Sequence, residues 1–259
     1  MNDRLSFYSK KNSLIHTLNP FTKLTLAFTL ILIGLFGTGY WTASLVICLA
    51  LIPIIILSKL FREYVRVALR IILPTVGFMF VMQSIFIPGG TTELFQIGPF
   101  SVELETVWRS FLIASRIFLM VSAFLFLLLS THPSELMNDL TQRGLPPQFS
   151  YVMISTLQII PQMQAKAQII IAAQRSRGLD TESTFLKRIG FLVPLVGPLV
   201  FGSLVEVEER AIAIEARGFT STNKKTFLYD IPDTNLDKTI RWLLVFLVIA
   251  VLVLNIWLS

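Results

Sequence analysis

Arg177 and Arg217 stand forty residues apart in matching surroundings, Ala173-Gln174-Arg175-Ser176-Arg177-Gly178-Leu179 and Ile214-Glu215-Ala216-Arg217-Gly218-Phe219. In each, a small residue (Ser176, Ala216) precedes the arginine, then a glycine (Gly178, Gly218) and an apolar side chain follow. A guanidinium keeps its charge and presents a planar fork of donors, so its chemistry is bidentate binding of carboxylates. Two readings fit. Glycine after a helix takes the left-handed conformation that closes it, and arginine in the last turn complements the helix dipole, so each stretch could be only a helix end. The duplication favours docking: both stretches follow a proline (Pro161, Pro198) by a similar distance, and both keep the small residue that lets arginine enter a groove. Arg175 and Arg177 lie two apart and face different ways, so one is available to a partner and the other to lipid or to the second arm.

Residues that could catalyse a reaction are sparse. No G-x-x-x-x-G-K-[ST] loop is present to cradle nucleotide phosphates and no H-E-x-x-H to hold zinc. His16 and His132 each stand beside a helix start without a second histidine or cysteine nearby, which fits capping or solvent contact better than a metal. Ser110, Ser115 and Ser122 have no base to activate them. No catalytic, cofactor or metal site is therefore expected. The single cysteine, Cys48, is expected to be a small core residue.

The elements that carry the two tips belong to a membrane protein. Of the 259 residues, 54% are hydrophobic and 15% charged, and the mean hydropathy is +0.70. Five stretches approach spanning length: Leu24 to Thr38, extendable to Tyr40; Trp41 to Ser58; Ile71 to Pro88; Val107 to Ser130; and Trp242 to Leu258. Met1 to Asn19 is polar, so no cleavable signal is expected.

The net charge of +6 reflects topology rather than nucleic-acid binding. Arg4, Lys10, Lys11 and Lys23 precede the first span; Lys59, Arg62, Arg66 and Arg70 lie between the second and third; Arg143 to Arg241 crowd the region between the fourth and fifth. The connection from Ile87 to Thr106 carries three glutamates and no lysine or arginine. The positive-inside rule then predicts a cytoplasmic N-terminus, an external C-terminus and anionic lipid headgroups beside the basic residues.

Residues 189–205 are apolar and nearly long enough to cross, but basic residues flank both ends: Lys187 and Arg188 before, Arg210, Arg217, Lys224 and Lys225 after. Pro194, Pro198 and three glycines also make the segment a poor uninterrupted helix. It reads as a helix or broken pair against the cytoplasmic face, with a sixth span as the alternative. The chain thus divides into a four-span membrane portion (1–130), a cytoplasmic coupling-helix portion (131–238) and a final transmembrane helix (239–259). Thr131 or Ser134 is placed to cap a short helix that begins at Pro133. A first arm runs from about Gln148 to Arg177 and a second from about Pro198 to Arg217, each long enough to carry its tip about 25 to 45 Å. On the second arm Glu206 and Arg210 have the i, i+4 spacing of a weak surface pair, and Glu206, Glu208 and Glu209 read as a solvated face. On the fourth span Arg109 can reach headgroups, whereas Arg116 needs an acceptor such as a carbonyl or a polar residue, with Gln83 a candidate.

The two tips, together with Ser13-Leu14-Ile15-His16-Thr17-Leu18-Asn19-Pro20-Phe21-Thr22-Lys23-Leu24, resemble the transmembrane T component of energy-coupling factor (ECF) transporters over nearly the whole chain. The resemblance implies an all-α polytopic membrane protein of a prokaryotic cell membrane, with about five transmembrane helices and a cytoplasmic domain of long helices. It implies a non-catalytic subunit whose tips, Ser176-Arg177-Gly178 and Ala216-Arg217-Gly218, sit in grooves of two cytoplasmic ABC-class ATPases. The membrane portion would hold a small substrate-binding S component for a vitamin or transition-metal ion. That family commonly has alanine before both arginines, so Ser176 departs from its pattern. A permease subunit of another ABC transporter and a polytopic membrane enzyme are the competing classes; the first would present one coupling segment and the second a cluster of ionisable groups.

Overall fold

The computed structural model describes residues 13, 15, 17–37, 39, 41–87, 90, 92–97, 100–178, 185–221, 223, 226–227 and 231–258, with side chains for all of these except 95–97, 100–101, 185–193 and 258. Expectations that fall on Met1 to Lys11, Leu14, His16, Thr38, Tyr40, Pro88, Gly89, Leu179, Lys224, Lys225 and Ser259, and on the side chains of Lys187 and Arg188, lie outside the described residues. The chain forms two compact units, residues 1–146 with 231–259, and residues 147–230.

In the first unit, Asn19 opens helix α1 (Pro20–Phe36) by accepting from the Phe21 amide at 2.9 Å, with proline at the first helical position, where its missing N–H is harmless. Helices α2 (Thr42–Leu57) and α3 (Phe61–Phe86) each contain a widened π turn, at Ile47–Leu51 and Ala68–Ile72. Both turns lie just before a proline, Pro53 and Pro74. A proline lacks the N–H that would bond four residues back and its ring crowds that carbonyl, so the helix relieves the conflict by widening.

A hairpin of β1 (Glu93–Ile97) and β2 (Phe100–Glu103), antiparallel, fills the connection to α4 (Leu104–Ser130). This element was not expected from the sequence. The central helix α4 packs on α1 and α3. Its buried stripe contains Ser110, Ala114, Ser115, Leu119, Ser122 and Phe126, small residues alternating with large. Between apolar helices in lipid, such small residues allow the close approach that drives association. The Tyr64 hydroxyl donates across this interface to Ser122 Oγ at 2.7 Å. His132, not Thr131 or Ser134, caps α5 (Pro133–Gln142), its Nδ1 accepting from the Ser134 amide. The last helix, α8 (Asn235–Leu258), packs on α1.

Helices α3, α4 and α8 are long and apolar enough to cross a membrane, and α1 and α2 are shorter apolar helices. Many large apolar side chains point outward, among them Phe78, Phe246 and Trp257, and Cys48, expected in the core, is exposed on α2 as well. Apart from the hairpin this is an all-α polytopic membrane protein. Helix α3 begins ten residues before the apolar stretch, at Phe61 rather than Ile71, which brings Arg62, Arg66 and Arg70 onto the same helix.

The second unit is a pair of long helices, α6 (Pro147–Ser176) and α7 (Phe185–Ala216). Neither is broken: α6 passes through Pro161 and α7 through both Pro194 and Pro198. The apolar segment and the second arm, read separately in the sequence, are therefore one helix.

Candidate functional site

Each tip is built by the same backbone device. At the end of α6, Arg177 N donates to Ala173 O at 3.3 Å and to Gln174 O at 3.1 Å, and Gly178 N donates to Arg175 O at 3.0 Å. At the end of α7, Gly218 N donates to Glu215 O at 2.9 Å and Phe219 N reaches Ile214 O at 3.1 Å, the back-bonds of a Schellman closure. Gly178 and Gly218 have φ of +87° and +68°, a region L side chains rarely adopt. No atom lies within 4 Å of where a Cβ would sit on either, so the sign of φ, not crowding, requires glycine.

Arg143-Gly144-Leu145 closes α5 in the same way, with Gly144 at φ +112° and Leu145 N bonded to Leu140 O at 3.0 Å. An arginine-glycine-apolar ending alone therefore does not decide the arginine's role; Gln142 stands where the other two have a small residue, and the surroundings differ. The Arg143 guanidinium turns inward, its Nε 3.2 Å from both oxygens of Asp139. Arg177 and Arg217 are exposed, and among the described residues neither side chain makes an ion pair or hydrogen bond. They are exposed cations at the ends of two long helices.

The two tips are not equivalent. Ser176 Oγ donates back to Ala172 O at 3.2 Å, so that hydroxyl is engaged with its own helix, and Ala216 has no counterpart. Beyond Gly218 the chain folds back, and Phe219 meets Tyr151 with ring centroids 5.4 Å apart. Arg217 lines a recess of about 420 Å³ together with Ile214, Gly218, Phe219, Ser221, Asn223 and Thr226.

Side-chain contacts define how α6 and α7 run. Gln174 donates to Pro194 O, Lys166 pairs with Glu206, Arg210 donates to Gln162, and Tyr151 meets Phe219. As position rises on one helix it falls on the other, so the helices are antiparallel and the tips lie at opposite ends of the pair. The stretch of α6 from Tyr151 to Ser176 separates them by about 35 to 40 Å at 1.5 Å per residue. These contacts also correct the expected Glu206–Arg210 pair: both residues reach across to α6 instead.

Arg116 donates to the carbonyl of Gly37, so a backbone acceptor serves it rather than Gln83. Gln83 Oε1 is buried and has no hydrogen-bond partner among the described residues. Among the same residues no group of three His, Cys, Asp or Glu is placed to hold a metal.

One constellation was missed from the sequence. Asn19 is 2% exposed, its amide N–H donates to Asp237 at 3.1 Å and its side chain to Asp139 at 3.3 Å. Lys23 Nζ donates to Ser130 O at 3.2 Å. Arg241 forms a two-toothed pair with Asp233 at 2.7 and 2.8 Å, and Arg143 and Arg241 lie 4.5 and 5.7 Å from the Phe21 ring centroid. The paired guanidinium holds the Asp233 carboxyl below the usual carboxylate range. The only hint in the sequence was Asn19-Pro20-Phe21-Thr22-Lys23, read there as part of a family resemblance.

A family profile described as CbiQ, cobalt transport protein, matches residues 11–227. Similar curated proteins include the energy-coupling factor transporter transmembrane proteins EcfT of Leuconostoc gelidum, 28% identical over 95% of this chain and 95% of the relative, and of Brevibacillus brevis, 30% identical over 86% and 89%. That of Exiguobacterium sibiricum is 31% identical over 73% and 74%. Apolar helices and a match over most of the length agree: the chain belongs to the CbiQ family, as an EcfT-like transmembrane component of energy-coupling factor transporters.

Proposed function

We propose that this chain couples two cytoplasmic ABC-class ATPases to a small membrane S component, passing ATP-driven motion to it for uptake of a vitamin or a transition-metal ion. Arg177 and Arg217 each enter one ATPase groove, with Arg175, Ser176 and Gly178 around the first and Ala216 and Gly218 around the second. The hydrolysis belongs to the partners and the substrate to the S component, so the chain itself catalyses nothing. The observation that carries this reading is the pair of exposed guanidinium groups at opposite ends of one antiparallel helix pair, an arrangement suited to two partners at once. A single-groove permease subunit needs only one such tip. Apolar side chains exposed on the same helices, Phe149 and Phe201 among them, offer a surface to the S component or to lipid. In the membrane the N-terminus and residues 131–238 lie on the cytoplasmic side, and Ser259 outside, because this arrangement keeps nearly all lysines and arginines inside.

Affinity purification of the tagged chain from its host membrane tests the reading. Co-isolation of two ATPase chains and a small membrane protein supports it. A chain that purifies alone and transports by itself rejects it.

A further inference from the structure

The chain leaves the first unit after Pro146 and returns to it at Ile231. Arg143 stands three residues before the exit and Asp233 two residues after the return, and they pair at 3.5 Å across ninety residues of sequence. Around that pair the cluster is closed and largely buried. Asp139 and Asp237 are 2% and 1% exposed. Arg143 holds Asp139 from the same helix turn, and its NH2 lies 3.3 Å from Asn19 Oδ1. Asp237 caps its own helix through Thr234, whose amide donates to it at 3.2 Å, while accepting from the Asn19 amide. The Phe21 ring lies beside the guanidinium groups of α5 and α8. The outgoing and returning segments thus meet on the first turn of α1, which packs on α4 and α8.

Charge burial of this kind is a poor source of net stability, since the desolvation cost offsets most of the attraction, yet breaking one partner leaves the others uncompensated. What a closed ionic cluster does provide is defined geometry: the fork of Arg143 addresses Asp139, Asn19 and Asp233 at once, a task a flexible ammonium does not perform. We propose that Arg143 and Asp233 are positioning residues that clasp the outgoing and returning segments together on Asn19–Lys23, so that displacement arriving along either segment reaches α1 and α8 as one. This rests on the coupling function proposed above, with the clasp as the route by which motion enters the membrane helices.

The test uses the full complex with its ATPases in lipid nanodiscs, with ATP and vanadate as the probe. Hydrogen–deuterium exchange is followed in α6 and α7 and in the first turns of α1 and α8. In the wild type, nucleotide should change exchange in all four. In Asp233→Ala and in Arg143→Lys, the nucleotide-linked change in α6 and α7 should remain, while that in α1 and α8 shrinks at least threefold. Asp233→Glu should restore at least half of it. Asp233 is partly exposed, so its substitution should leave assembly intact, and Arg143→Lys, which keeps the charge, serves if it does not. A merely structural cluster would lower the yield of complex and leave the nucleotide-linked change in α1 and α8 at its wild-type size, which overturns the clasp. A wild-type complex whose α6 and α7 do not respond to nucleotide overturns the coupling function itself.

Discussion

The side-chain amide of Gln174 donates to the main-chain carbonyl of Pro194 at 3.3 Å. That carbonyl is the one Pro198 leaves without a helical donor, because proline has no N–H to offer four residues back. A residue two positions before the first tip therefore repairs the helix that ends in the second.

Gln174→Ala should destabilise the α6–α7 pair by about 0.5 to 1.5 kcal/mol, the net worth of a hydrogen bond with some added cost for an unpaired carbonyl. Pro198→Ala supplies the missing N–H, and in that background the Gln174→Ala loss should shrink toward zero. A double-mutant cycle read by thermal unfolding of the purified protein checks this; equal losses in both backgrounds would show that Gln174 does not act by serving the carbonyl that Pro198 frees.

Gly178→Ala and Gly218→Ala should each cost about 1 to 2 kcal/mol through positive φ alone, since the space around them is open. Asparagine, which tolerates the left-handed region, should be milder at both positions. Melting temperatures of the wild type and the two variants at each site test the ordering.

Because pairing with Arg241 lowers the Asp233 carboxyl, its stabilising contribution is present above the unfolded carboxylate value of about 3.9 and fades as pH falls through the lower folded value. Asp233→Asn should therefore melt below the wild type by a constant margin between about pH 6 and 8; the margin should begin to shrink near about pH 4 and close only as pH falls through the lower folded value. A margin that persists in acid would assign the effect to shape rather than charge.

Much of this architecture is legible in the sequence because it rests on local rules. Spans follow from apolar runs, the starts of α1 and α5 from Pro20 and Pro133, and the ends of α6 and α7 from glycine after arginine. What escapes is whatever depends on distant partners. Asn19 and Asp237 are 218 positions apart, so their hydrogen bond leaves no periodic trace. Arg143 shares the arginine, glycine and apolar ending of Arg177 and Arg217, with Gln142 where they have a small residue, and the carboxylates gathered around it show that it faces inward. Glu206 has a suitable neighbour in its own helix, yet a lysine on α6 competes for it and wins. The continuity of α7 through two prolines likewise comes from packing on α6, against the preference of the isolated segment. The placing of α5 in the first compact unit has a similar reason: Asp139, with the look of a surface residue in sequence, binds it to the start of α1.

Topology can be probed with the chain in its membrane. After Cys48→Ala, a cysteine placed by Asn223→Cys should resist an impermeant maleimide added outside intact cells and react once the membrane is opened. Labelling from outside would reverse the orientation proposed for the second unit.

The central claim is that Arg177 and Arg217 dock two ATPases, and the most direct measurement is co-purification of the ATPases with the Arg177→Glu, Arg217→Glu double variant. Truncating one partner of a desolvated charged contact costs about 2 to 5 kcal/mol, and reversing its sign adds repulsion. Each single variant should weaken assembly, and the double variant should nearly abolish it, with Arg188→Glu, outside both tips, milder than either. Lysine at the same positions should rescue only in part, since it keeps the charge and loses the planar fork. A double variant that still retains its ATPases at the wild-type level would contradict the account and leave both arginines as helix ends.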